Sequence, residues 1–225
     1  MNPRDRRSLL RWMTKLRYST SMSLDGFVAG PDQSPDNPLG VGGRLLHEWM
    51  RSLAVWREEA GLDGGEVNAS TAVLEEGDRN VGAVIMGRNM FGGGPGPWGD
   101  EPWRGWWGES PPFHRPVFVL TYHRRAPLML ADTTFTFVTD GIQVALELAR
   151  AAAAGADVAI GGGAGVARQY LDVGLIDELE IHLVPVLLRG GVRLFDAGAE
   201  QPVTFVQMRA VEAPGVTHLA YSRSS

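Results

Sequence analysis

Apolar and polar positions alternate along residues 16–23, where Leu16, Tyr18, Ser19 and Met22 give the two-residue period of a strand. Asp25-Gly26 and Ala29-Gly30-Pro31 mark turns after it, and a polar, Pro-rich loop covers 31–43. The period then changes. Leu45, Leu46, Trp49, Met50, Leu53 and Trp56 recur at three- and four-residue steps, which predicts one amphipathic helix. A second helix is predicted over 70–76, capped by Asn68 or Ser70. Val81 to Met86 is a continuous apolar run that reads as a strand, ended by Gly87-Arg88. Further strands are predicted at 116–120 and 134–138, a helix over 142–154 and a strand at 157–160. Then comes a long strand over 178–188, interrupted by Pro185. Two last strands, 203–211 and 216–222, turn at Pro214-Gly215. Strands alternate with helices through the middle and then close the chain alone. That order predicts an α/β fold with a mixed, mostly parallel sheet, flanking helices and antiparallel C-terminal strands.

One junction carries chemistry. The strand ending at Ile160 enters Gly161-Gly162-Gly163-Ala164-Gly165, and Val166, Tyr170 and Leu171 then recur at helical spacing. Strand, glycine turn and helix in that order make a phosphate pocket: the helix start offers unpaired N–H groups and a positive dipole end, and glycines let a ligand reach the backbone. The spacing is not G-x-G-x-x-G, and no Lys-Ser/Thr pair follows. A tight turn without a ligand is the alternative.

Composition removes several classes of function. The 225 residues suffice for one domain with a full core, at 44% hydrophobic and 21% charged residues. With no cysteine there is no disulfide, thiol nucleophile or thiolate metal site. The five histidines have no ligand spacing, so no metal is expected. A net charge of −5 argues against nucleic acid or an anionic membrane surface as main partner. No apolar run approaches the roughly 20 residues of a spanning helix. Residues 1–15 are basic and read as a flexible extension, with Met13 an alternative start to Met1 and residues 16–225 as the single domain. The segment 92–115 is aperiodic and holds Trp98, Trp103, Trp106 and Trp107 among Gly and Pro. It reads as a surface loop folded on its own aromatics, or as a wall over a ligand or a dimer contact.

Five motifs in order resemble the dihydrofolate-reductase-like fold, and within it the C-terminal reductase domain of the bifunctional riboflavin-biosynthesis deaminase–reductase. They are Ser23-Leu24-Asp25-Gly26-Phe27-Val28-Ala29-Gly30, Val84-Ile85-Met86-Gly87-Arg88, Val117-Phe118-Val119-Leu120-Thr121, Ile160-Gly161-Gly162-Gly163, and Gly174-Leu175-Ile176-Asp177-Glu178-Leu179 running into His182-Leu183-Val184-Pro185. The resemblance implies NADPH as cofactor. Gly161, Gly162, Gly163, Ala164, Gly165 and Val166 would hold its pyrophosphate, with a cis bond between Gly162 and Gly163. Gly87 and Arg88, with Thr121, His123, Arg124 and Arg125, would take the phosphate of its adenosine end, and Val28 and Ala29 would lie by the nicotinamide. Asp25 lies in the matching motif and is a candidate proton-handling group, although an Asp before Gly is a common turn-former. His47 and Trp98 would lie on the substrate side. The family forms homodimers through its C-terminal strands, which implies one here, in the cytoplasm.

Two positions depart from the family. Leu46 stands where dihydrofolate reductases carry an acid, with Glu48 or His47 as possible substitutes that also fit a polar helix face. Met90 stands where a threonine is expected. The missing acid argues against folate, and no zinc set for a deaminase is present. The reading is an NADPH-dependent reductase of a small heterocycle. It is similar to 5-amino-6-(5-phosphoribosylamino)uracil reductase, with a non-catalytic NADPH-binding or sensor protein as alternative and a true dihydrofolate reductase as a third.

Overall fold

The computed structural model describes residues 14–94, 96–100, 102–195 and 202–224. The expected extension therefore lies, over residues 1–13, outside the described residues. Contacts group the described residues into two compact units: those up to Tyr18 with those of 80–177, and those of 19–79 with those from Glu178 on. Strand β1 (Leu16–Ser23) contributes its first three residues to the former and the rest to the latter.

In the first unit the strands run in the order β1, β7 (Asp157–Gly161), β3 (Val81–Gly87), β4 (Val117–Leu120), β6 (Thr133–Val138), β5 (Leu128–Leu130). All pair in parallel except β5 with β6. The apolar run 83–86 is buried throughout, as expected of a central parallel strand. Val84 and Met86 join Phe91, Val117, Val119, Leu130 and Phe135 in a core against which Trp98, Trp107 and Phe137 pack. The helix Gly141–Ala152 covers β3, β4 and β7. The glycine-led helix Ala164–Asp172 is fixed to it by Tyr170, whose hydroxyl donates to the Ile142 carbonyl at 2.7 Å. Burial pushes that phenol well above its ordinary pKa.

In the second unit the order is β10 (Phe205–Ala213), β11 (Val216–Arg223), β8 (Glu178–Val184), β1. β10 pairs with β11 and β11 with β8, both antiparallel. A separate ribbon joins β2 (Phe27–Ala29) to β9 (Val192–Arg193). Strand β8 stops at Val184, before Pro185, which has no N–H for the ladder. The helix Ala69–Asp78 is capped by Asn68, whose side chain accepts from Ser70 N–H at 2.9 Å.

The helix predicted through 45–56 is a correction. The chain makes a 3₁₀ turn over Gly43–His47 and two short helices, Glu48–Arg51 and Ala54–Glu59. The break is at Leu53, which is extended at φ −73°, ψ 142° because Ala54 N–H bonds Glu66 C=O instead of continuing the helix. The apolar spacing still does its work: Leu46, Trp49 and Leu53 form a core with Val184 and Val216. No helix among the described residues is long and apolar enough to cross a membrane.

Candidate cofactor site

The glycine junction of the first unit is a strand–turn–helix. Gly162 and Gly163 have φ of 62° and 71°, a region in which only glycine is unstrained. The described peptide bonds are all trans, so the cis bond expected between these two glycines is corrected: two consecutive left-handed residues reverse the chain without it. Gly163 C=O then receives the N–H groups of Val166 and Ala167 at 3.2 and 3.3 Å, which starts the helix. A side chain at Gly163 or Gly165 would meet open space, so this end of the helix is accessible to a ligand. The inner side is filled. A Cβ on Gly162 would come within 2.7 Å of Met90 Sδ, and one on Gly87 within 2.8 Å of Val166 Cγ2. Met90, in place of the expected threonine, is thus packing beneath the turn. The Gly87-Arg88 junction and the glycine turn are neighbours.

Arg88 opens the short helix Arg88–Phe91. Its guanidinium carbon stands 3.1 Å from the centre of the Trp98 indole, and Arg125 lies 4.6 Å from that ring. Arg88 Nη2 donates to Gly93 C=O at 3.0 Å, but its buried Nε and Nη1 have no hydrogen-bond partner. Desolvation, and then the charge of Arg125, lowers the Arg88 pKa, and desolvation, and then Arg104, lowers that of Arg125. In the segment after β4, Thr121 is buried and its Oγ1 accepts the His123 N–H at 3.2 Å, forming the turn. His123 C=O accepts the Trp98 indole N–H at 3.0 Å, and Arg124 is exposed. Beside Arg125, Pro102, Trp103, Arg104 and Gly105 line an open groove of about 500 Å³.

The model for the RibD C-terminal domain matches residues 14–217. The chain belongs to the RibD C-terminal domain family. Membership supports a riboflavin-pathway reductase-like role. No curated protein matches the chain. Among solved structures, this RibD C-terminal domain is similar to a protein of Shewanella sp. PV-4 named for riboflavin biosynthesis, with 24% identity, a TM-score of 0.60, and 94% and 100% of the two chains covered. It also resembles the Thermotoga maritima diaminohydroxyphosphoribosylaminopyrimidine deaminase/5-amino-6-(5-phosphoribosylamino)uracil reductase (12%, TM-score 0.56), spanning 58% of that longer chain against 95% of its own. The Enterococcus faecalis dihydrofolate reductase complexed with NADP(H) matches at 12% and 0.53, over 94% of this chain and 97% of that one. At these identities the likeness is one of fold, which is dihydrofolate-reductase-like.

The remaining candidate residues of this RibD C-terminal domain belong to the second unit. Asp25 is tied to its own turn and to the 188–189 backbone: its carboxylate accepts from Ser23 Oγ at 2.6 Å, Arg189 N–H at 2.7 Å and Leu188 N–H at 3.1 Å. The Ser23 bond, with the two backbone donors, holds its pKa below the ordinary range. Val28 is half-buried and Ala29 buried, both on β2. Leu46 is fully buried in apolar surroundings, His47 is half-buried, and Glu48 is exposed and paired with Arg44 at 3.4 Å. Desolvation, then the Arg51 charge, lowers the His47 pKa.

Sequence reasoning missed two arrangements. One is the stack of Arg88 and Arg125 on Trp98, whose only sequence signal was an unusual density of tryptophan. The other is a buried chain of four groups: Ser19 Oγ to His182 Nε2, His182 Nδ1 to His218 Nδ1, and His218 Nε2 to Ser70 Oγ, each 2.8 Å. Trp49 lies 5.0 Å from both imidazole rings and donates to Ser21 Oγ at 3.1 Å. The histidines are 36 residues apart and meet because the β8–β11 register sets His182 opposite His218.

Proposed function

We propose that the chain is an NADPH-dependent reductase of a small heterocyclic substrate, of the 5-amino-6-(5-phosphoribosylamino)uracil reductase kind. The observation that carries this is the open glycine turn beside Gly87-Arg88, with two buried guanidinium nitrogens of Arg88 lacking a partner. Buried donors without partners cost about 1–3 kcal/mol each, and more for charged groups, so such nitrogens are readily explained by a ligand. A pyrophosphate suits the helix start and a phosphomonoester suits the guanidinium. The residues present fit the cofactor. When bound, NADPH supplies a hydride for a C=N or C=O carbon. The chain's part is to orient and to exclude water: Gly161 to Val166 and Gly87 fix the phosphates, and Arg88 with the segment Thr121 to Arg125 fixes the adenosine end.

A second reading, cofactor binding without turnover, is favoured by two observations. Leu46 is fully buried among Trp49, Leu53, Val184 and Val216, with no acid in its place, and the Asp25 carboxylate is occupied by the loop it closes. Calorimetry with NADPH and NADH on wild-type protein, Arg88→Ala and Arg124→Ala tests the shared part of both readings. Selective NADPH binding weakened by either change is expected, and binding of neither nucleotide overturns both. Oxidation of NADPH with an aminopyrimidine substrate then separates reductase from sensor. The homodimer belongs to the same proposal, and sedimentation of the full chain tests it.

A further inference from the structure

Arg88 and Arg125 share the Trp98 ring and the charge of Arg125 bears on Arg88, yet among the described residues no carboxylate is paired with either. Other cations of the chain are treated differently: Arg104 has Glu109 at 3.1 Å, and Arg209 has Glu180 at 3.1 Å with Glu76 beside it. Two like charges brought together without an acid need another source of attraction. Trp98 supplies it. Its indole carries Arg88 at 3.1 Å and Arg125 at 4.6 Å, and the negative face of the ring attracts both. The ring is itself fixed. It meets Phe137 at 5.1 Å and Phe91 at 5.9 Å, both edge-on, and its N–H is tied to His123 C=O. An aromatic face holds a guanidinium without using its N–H donors, whereas a carboxylate would consume them and cancel the charge. The loop around it is built to keep this geometry: a Cβ on Gly92 or Gly93 would run into Trp106 or Trp103 at 2.7 and 2.6 Å, so the tryptophans sit directly on glycine backbone.

We propose that Trp98 is the positioning residue that presets Arg88 and Arg125 for a dianionic phosphomonoester, and thereby determines selectivity for a 2′-phosphorylated over an unphosphorylated dinucleotide. This rests on the cofactor reading given above, and it moves Trp98 from the substrate side to the cofactor side. The test compares Trp98→Phe, which keeps an aromatic face, with Trp98→Leu, which keeps apolar bulk without one, each checked for wild-type thermal unfolding in the absence of nucleotide. The readout is the ratio of NADPH to NADH affinity by calorimetry. Trp98→Leu is expected to lower the ratio about tenfold while NADH affinity holds, and Trp98→Phe to keep it within about threefold. Nuclear magnetic resonance of the Arg88 side chain adds a second readout: its ring-current shift should persist in Trp98→Phe and vanish in Trp98→Leu.

An unchanged ratio in Trp98→Leu, with Arg88→Ala losing it, overturns the role of Trp98 and leaves the cofactor reading standing. If wild-type protein binds neither nucleotide, the cofactor reading fails, and inorganic phosphate then decides for Trp98. Weaker phosphate binding in Trp98→Leu than in Trp98→Phe supports the preset arginine pair. Equal binding, or none by wild-type protein, overturns it.

Discussion

The two units handle buried polar groups in opposite ways. In the second, every strong donor and acceptor of the inner network finds a protein partner: Ser19, His182, His218 and Ser70 form one closed chain, and the Asp25 carboxylate is filled by Ser23, Leu188 and Arg189. In the first, Arg88 keeps two buried nitrogens without partners, and the glycine-led helix begins at an open surface. Saturated polar groups hold a fold, while unsatisfied ones cost stability unless something from outside completes them. Under the cofactor reading proposed above, the contrast gives the histidine chain a structural part and the arginine–glycine region a binding one. It also fits the turn-forming role that the sequence offers for Asp25, whose carboxylate is bonded to Ser23 and to the backbone of Leu188 and Arg189.

The largest expected effect comes from breaking the saturated side. His218→Ala would strand His182 Nδ1 and Ser70 Oγ and leave a cavity beside Trp49, costing about 2–4 kcal/mol in denaturant unfolding. Nucleotide affinity should be unchanged, because the loss is structural. A variant that loses NADPH binding but not stability would reverse the assignment.

The complementary break is Gly163→Val. There is open space for a side chain, so the folding cost is the backbone strain of a non-glycine residue at φ 71°, ψ 99°, about 1–3 kcal/mol. A Cβ at the helix start would also keep a phosphate off the backbone, and NADPH affinity should fall about 100-fold or more. Calorimetry reads the affinity and thermal unfolding the stability. Unaltered affinity would return the glycine turn to architecture.

Acid sharpens the same contrast. Burial, then the charges of His218 and His47, lowers the His182 pKa to about 3, and burial, then Arg209, lowers that of His218 to about 4. The unfolded chain protonates both near 6.5, so between 6.5 and about 4 it binds protons that the folded chain does not. Stability contributed by the neutral pair is complete above pH 6.5 and is lost as pH falls through that window toward 3. Neutrality also fixes the pair's tautomers: one Nδ1 must donate and the other accept. Denaturant unfolding from pH 7 to 4 should therefore show a steep decline that the double variant His182→Leu/His218→Leu lacks. Parallel curves for the two proteins would place the acid sensitivity elsewhere.

Legibility in the sequence followed locality. The segment 157–172 was readable because strand, turn and helix are consecutive and each has its own signal, and the strand over 81–86 was readable from its unbroken apolar run. The helix through 45–56 misled because its apolar spacing is right while its backbone is interrupted by a bond from Ala54 to Glu66, twelve residues on. The short strands β2, β5 and β9 carry too few residues to show a period. His182 and His218 meet only through a register, and Trp98 meets Arg88 only through the folding of a loop with no period at all. Side chains of that kind declare a role only in three dimensions.

The smallest effect concerns Glu48, the residue by which the missing acid at Leu46 could be replaced. It is more than half exposed at the surface of a four-residue helix and lies 3.4 Å from Arg44, four residues before it. An exposed pair of this kind contributes about 0.3–0.5 kcal/mol, and removing the charge leaves no buried group unsatisfied. Glu48→Gln should therefore shift stability by less than about 0.5 kcal/mol and leave kcat and its pH profile within about twofold. A group that supplied a proton to substrate would behave otherwise: kcat would fall by about 100-fold or more, and the acidic limb of the profile would move. That outcome would carry the chemistry into the second unit and end the division of labour on which the comparison rests.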